Sequence, residues 1–116
     1  MRRGEVWVAN LNPPRGRETG KIRPVLVIHA DELLLPGAEL VVVLPLTTQI
    51  RPLLKLLRVA IPARDRLREA CQVMVDQPRT LDRERIGEGP LTTLTATEMA
   101  AVESGLSVVL GMYPRS

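Results

Sequence analysis

The chain has almost no aromatic side chains: no Phe, one Trp (Trp7) and one Tyr (Tyr113) among 116 residues. That scarcity excludes a base-stacking platform of the RRM or single-strand-binding kind, and equally an aromatic groove for proline-rich peptides. Cysteine and histidine are each present once, as Cys71 and His29. An intrachain disulfide is therefore excluded, and so are a thiolate–imidazole metal set and a two-histidine acid–base pair. Long hydrophobic runs are also missing. Val25 to Ile28 and Leu40 to Leu46, the most apolar stretches, fall far short of the roughly 20 residues that span a bilayer. The N-terminus carries no signal-peptide-like apolar segment. A reducing, cytoplasmic location with no membrane contact is expected.

What is present fits one globular domain over residues 1–116, with 45% apolar and 25% charged residues, so disorder is not expected. The net charge of +3 leans towards an anionic partner without compelling one. If that partner is RNA, recognition must rest on charge, backbone amides and hydrogen bonds to base edges.

Val6-Trp7-Val8-Ala9 reads as a half-buried strand closed by Asn12-Pro13-Pro14, and the two-glycine stretch from Arg15 to Lys21 reads as a surface loop. Pro24 to Ile28 is a continuous apolar strand, with Pro24 expected at its beginning or on an edge. Leu40 to Leu44 is the strongest strand; Pro45 should limit its pairing, so that Thr47-Thr48-Gln49 emerges exposed at its end. Periodicity leaves Leu54 to Ile61 readable as helix or strand, with a strand near Leu57 to Ile61 favoured, and Gln72 to Val75 is a further strand. Ala63 to Glu69 reads as a charged turn or short helical segment, and Leu81 to Ile86 as a short turn structure. The C-terminal helix is the clearest element. Thr95 and Glu98 form a capping-box pattern, Met99, Val102, Leu106, Val109 and Leu110 repeat on one face, and Gly111 and Pro114 stop it. Gly105 costs the helix about 1 kcal/mol relative to Ala and so marks close packing. Short strands followed by one amphipathic helix predict a small, strongly bent sheet or barrel covered by that helix.

Four blocks, in order and with compatible spacing, resemble the MazF/PemK family. They are Arg3-Gly4-Glu5-Val6-Trp7 with Leu11-Asn12-Pro13; Gly20-Lys21-Ile22-Arg23-Pro24-Val25-Leu26-Val27; Val43-Leu44-Pro45-Leu46-Thr47-Thr48-Gln49; and Asp76-Gln77-Pro78-Arg79-Thr80. The resemblance implies a mainly β fold, an SH3-like β-barrel of the plasmid-toxin type with a C-terminal amphipathic helix on the sheet. It implies a homodimeric toxin of a type II toxin–antitoxin system, cleaving single-stranded RNA (mRNA) at a short sequence without a cofactor. It also implies a MazE-like antitoxin that occludes the substrate groove, with DNA reached only indirectly through that antitoxin.

RNA can be cut without a metal when its 2′-hydroxyl attacks the adjacent phosphate. The protein must then accept a proton, stabilise charge on the phosphate and protonate the leaving oxygen. Arg23 precedes a proline, which biases it to an extended conformation where its planar guanidinium can grip a phosphate. Its high pKa suits charge stabilisation better than general-base work. The bland reading is an ordinary surface arginine; the resemblance tips the balance towards function. Thr47 lies at a strand end, where its hydroxyl can reach the same phosphate, although a Thr there is commonly turn chemistry.

Two carboxylates compete for the supporting role. Glu18 matches an acidic loop position in some family members, and Asp76 matches the Asp assigned to catalysis in the PemK/Kid branch. Either accepts a proton or orients Arg23; the alternatives are a solvated loop charge for Glu18 and a bridge to Arg79 for Asp76. This chain departs from that branch in carrying Met74 where the branch has a second catalytic Arg. It also has Cys71 where relatives often place Ser, and its aliphatic surroundings suit a small buried residue better than a nucleophile.

Arg15, Arg17, Lys21, Arg51 and Lys55 are candidates for the RNA path, with Thr48, Gln49, Gln77 and Arg79 beside them; each is equally readable as solvated surface. His29 reads as structural, and Trp7 as a core or dimer-contact residue. Two other classes remain: a CcdB-like non-nuclease toxin that binds a protein such as DNA gyrase through its terminal helix, and a nucleic-acid-binding regulator without cleavage.

Overall fold

The computed structural model describes residues 1–13, 16–17, 20–54 and 57–112. Within them the chain order is β1 (Glu5–Asn10), β2 (Ile22–Val27), β3 (Leu40–Thr47), β4 (Arg58–Ile61), β5 (Cys71–Met74), β6 (Arg79–Asp82), β7 (Thr92–Thr93) and α1 (Ala96–Val109). Single turns of 3-10 helix occupy Asp31–Leu33 and Arg83–Arg85. The strands form one curled antiparallel sheet in the order β4-β5-β3-β2-β1-β7, with β6 also pairing β3. This is the expected bent sheet beneath a terminal helix.

β3 is the hub because it changes partners part-way along. Leu40 to Val43 pair with β6, whereas Leu46 and Thr47 pair with β5. Pro45, which has no N–H to donate, falls at the handover. The strand thus runs through the proline instead of weakening there, and Thr47 is buried, not exposed as the sequence suggested. Pro24 likewise lies inside β2. It pairs with Val8 on the β1 side, and β3 joins only from Val25, so its missing N–H breaks no rung with β3. Of the turn expected over Leu81 to Ile86, Arg83–Arg85 forms one, but Leu81 belongs to β6 and is buried.

Alternation along the strands builds two cores. Leu26, Leu44, Leu46 and Val73 face one way, joined by Val6, Ile61, Leu91, Leu94 and Val102. Val25, Val27, Val41 and Val43 face the other, with Ala9, Leu11 and Leu81. Helix α1 covers the first core through Val102, Met99, Leu106 and Val109, and Gly105 is buried. Leu110 falls at the helix cap and is exposed, so it leaves the apolar face. Gly111 stops the helix with φ 69°, while Pro114 lies outside the described residues. Trp7 packs against the second core and donates from Nε1 to Glu5 Oε1 at 3.1 Å. A Cβ on Gly89 would meet its indole at 2.4 Å, so only glycine fits there.

The helix start is tied to the sheet by one charge cluster. The Thr95–Glu98 capping box forms as expected. Glu98 also accepts two hydrogen bonds from Arg64, at 2.8 and 2.6 Å, while Arg64 Nε reaches Thr92 Oγ1 at 3.1 Å. Bidentate, charge-assisted bonding of this kind favours the carboxylate strongly. The Arg64 hydrogen bonds, followed by Thr95, hold the Glu98 carboxyl down to about 2.

A carboxyl with a depressed folded pKa stabilises above its unfolded value and loses that contribution as pH falls towards the folded one. Glu98→Gln should therefore cost about 1.5 kcal/mol at neutral pH. In thermal melts at a series of pH values, the gap from wild type should begin to narrow below about pH 4.5, where the unfolded chain takes up the proton, and close only near pH 2, where folded Glu98 does so too. A gap of constant size across the series would contradict this role.

Candidate nucleic-acid interface

The β2–β3 pairing sets Leu26 against Leu44 and Val25 against Pro45. Continuing that register by two residues places Arg23 opposite Thr47, just past the last paired rung. Because side chains alternate, Arg23 continues the row of Val25 and Val27, and Thr47 that of Val41 and Val43. Two residues far apart in sequence are brought together by strand register alone. Arg23 Nη1 donates across the gap to the Leu46 carbonyl at 3.4 Å, and Nε donates to Gly20 O at 3.0 Å. Partial burial lowers the Arg23 pKa from the ordinary arginine value.

The approach to Arg23 is fixed by the first sequence block. Lys21 adopts φ 72°, a left-handed conformation that non-glycine residues seldom hold without support. Support comes from Asn12, whose Oδ1 accepts the Lys21 N–H at 2.8 Å, and from Leu11, whose N–H donates to Lys21 O at 2.8 Å. Thr47 Oγ1 accepts the Gln49 N–H at 3.1 Å. That is turn chemistry, yet it also leaves the hydroxyl hydrogen available to a ligand. Buried Gln72 sits opposite Thr47 on β5, and its Oε1 accepts the Arg51 N–H at 3.0 Å, anchoring the segment after β3.

These residues open onto a cavity of about 720 Å³. Its lining carries five cationic side chains, Arg17, Lys21, Arg23, Arg51 and Arg58, and among the described residues no carboxylate. Thr47, Thr48, Gln49 and Gln77 add hydrogen-bonding groups. A shallower cavity of about 470 Å³ adjoins it through Arg17 and Gln77, and there Asp76 and Arg79 sit. Asp76 is exposed, whereas Arg79 donates to the Leu11 carbonyl at 3.2 Å. Glu18, Arg15 and Lys55 lie outside the described residues.

Cys71 reaches the cavity wall but is buried, and desolvation followed by Glu69 raises its pKa, which disfavours a thiolate nucleophile. His29 Nδ1 accepts the Val42 N–H at 3.0 Å, a structural role as expected. Among the described residues no group of three or more His, Cys, Asp or Glu is placed to hold a metal ion. The sequence reading missed Gln72 and Arg58. Gln72 looked like any strand residue, and Arg58 began a short element whose type periodicity left ambiguous.

A family model described as PemK-like, MazF-like toxin of type II toxin–antitoxin systems matches residues 2–110. The chain belongs to the PemK/MazF toxin family. An endoribonuclease MazF from Staphylococcus saprophyticus is 33% identical over 117 residues, spanning 97% of this chain and 93% of the relative. One from Staphylococcus epidermidis is also 33% identical, over 97% of this chain and 92% of the relative. The crystal structure of MazF from Deinococcus radiodurans is 27% identical, with TM-score 0.80 and 97% of each chain covered. A MazE–MazF structure from the same organism gives 28% identity and TM-score 0.73, again covering 97% of each chain. The shared fold makes the cation-lined cavity of this PemK/MazF member the natural place to look for its chemistry. Met74, where the PemK/Kid branch has an arginine, lines that cavity opposite Arg58 in the β4–β5 register.

A cavity with this lining should bind single-stranded nucleic acid through its phosphates. If all five cations make phosphate contacts, log K against log salt should fall with a slope near −3.5, taking about −0.7 per contact on a single strand. A titration over a salt series measures the slope, and a value near zero would rule out a phosphate-binding cavity.

Proposed function

We propose that this family member is the toxin of a type II toxin–antitoxin system and acts as a sequence-specific, metal-independent endoribonuclease on single-stranded RNA, thereby blocking translation and growth. The observation that carries this reading is the placement of Arg23 opposite Thr47 at the edge of a cavity with five cations and no carboxylate among its described lining residues. The relatives named endoribonuclease MazF support it.

In this mechanism the 2′-oxygen forms a bond to the adjacent phosphorus as its proton passes to a base. The bond from phosphorus to the 5′-oxygen breaks, and that oxygen takes up a proton. A 2′,3′-cyclic phosphate and a 5′-hydroxyl result. Arg23 donates to a non-bridging oxygen as negative charge builds, and Thr47 donates its free hydroxyl hydrogen to the same phosphate. Burial of Arg23 eases proton release towards the leaving oxygen, but the guanidinium remains a cation, so charge stabilisation is its main work. Glu18 and Asp76 stay the two candidates for the base. Asp76 lines the adjoining cavity, beside Arg17 and Gln77.

The whole of this activity resides in one domain, in the cytoplasm, as a homodimer restrained by a MazE-like antitoxin. The MazE–MazF structure of the D. radiodurans relative supports that partnership. A CcdB-like mode through the terminal helix would leave the phosphate-suited lining of the cavity without use.

The test is cleavage of a long RNA in EDTA, with the new ends mapped. Wild type should yield cyclic-phosphate and 5′-hydroxyl ends, while Arg23→Ala and Thr47→Ala should each be slower by about 100- to 1,000-fold. RNA left intact by wild type would refute the nuclease, and full activity in both variants would refute the site.

A further inference from the structure

Among the described residues, Arg58 holds the buried side-chain polar atoms that lack a hydrogen-bond partner, Nε and Nη1. Buried donors without partners are costly, and in native proteins they mark a group waiting for water, an ion or a ligand. Arg58 lines the same cavity as Arg23 and Thr47, and no described carboxylate there offers it a counter-charge. Its cross-strand neighbour is Met74, which lines the same cavity.

Strand register fixes where Arg58 stands. Thr47 pairs with Gln72, Gln72 pairs with Ala60, and Arg58 lies two residues before Ala60 on the same face of β4. With strands about 4.8 Å apart and a rise of about 3.3 Å per residue, the Arg58 backbone sits about 12 Å from that of Thr47. The two residues therefore stand well apart in the lining of one cavity.

We propose that Arg58 anchors a phosphate neighbouring the scissile one, and so fixes the RNA strand across the cavity while Arg23 and Thr47 address the reacting centre. This assignment rests on the nuclease reading for the identity of the strand. The phosphate contact itself follows from a guanidinium in a cationic cavity whose Nε and Nη1 have no partner. An anchor of this kind contributes to ground state and transition state alike, so it acts on KM and leaves kcat nearly unchanged.

The test uses the full chain and a single-stranded oligoribonucleotide with every 2′-hydroxyl methylated, which can bind but cannot react. Arg58→Met keeps the aliphatic stem and removes the charge. It should weaken binding about tenfold and make the salt slope shallower by about 0.7. On cleavable RNA, KM should rise with kcat within about twofold of wild type, and Tm should stay level or rise because buried unpaired donors are gone. Arg58→Lys, which keeps a point charge, should retain the wild-type salt slope with intermediate affinity.

Unchanged affinity and slope in Arg58→Met would overturn the assignment while leaving the nuclease intact. A fall in Tm would assign Arg58 to the fold, and a loss confined to kcat would place it at the reacting centre; both contradict anchoring. Wild type that binds the methylated strand through Arg58 but leaves ordinary RNA uncut would instead fault the nuclease reading and keep the phosphate contact.

Discussion

The antiparallel register between β2 and β3 is the constraint on which the site depends. It sets Val25 against Pro45, so the next same-face positions outward are Arg23 and Thr47. A one-residue slip of either strand would turn its own member of the pair, Arg23 or Thr47, towards the helix-covered core. The register is held firmly because each face of these strands packs into its own apolar core, with Leu26 and Leu44 on one side and Val25, Val27 and Val43 on the other. Pro45 adds to this by letting β3 exchange β6 for β5 without a lost donor. Past that exchange the β6 cover ends and the strand row opens into the cavity. The same proline-marked handover thus shapes both the fold and the entrance to the site.

Electrostatics works on that frame in two opposite ways. At the helix start, Arg64 is engaged by Glu98, Thr92 and Thr93, and the cluster fastens α1 and β7 to the segment that follows β4. In the cavity, five cations gather with no described carboxylate among them. Such a concentration opposes folding through like-charge repulsion and is relieved when an anion enters. Arg23 is half-buried and oriented by backbone carbonyls, which bind it without neutralising its charge. The first cluster stabilises the structure, and the second is held ready for a ligand.

Much of this was legible in the sequence because the signals were local. The capping box at Thr95 and Glu98 and the apolar runs of β2 and β3 depend on neighbours in the chain, whereas Arg23 and Thr47 were legible as a site through the family resemblance of their blocks. Thr47 was expected to be exposed because proline ordinarily weakens a strand; its burial follows from a partner exchange that no local pattern encodes. Gln72 and Arg58 were missed for a related reason. Their significance comes from register across β3, β5 and β4, which sets a buried glutamine beside Thr47 and, beside Met74, an arginine with two buried nitrogens that lack partners. Leu110 went the other way: helical periodicity placed it on the buried face, but the helix ends one residue too soon.

The central claim is that Arg23 and Thr47 act together on one phosphate because the register makes them a pair. A double-mutant cycle in single-turnover RNA cleavage tests it most directly, comparing Arg23→Ala, Thr47→Ala and the double variant. Groups that serve one transition state are strongly non-additive, so the double variant should lose little more than the worse single variant. Losses that simply multiply would mean that the two residues act independently, and would contradict the account.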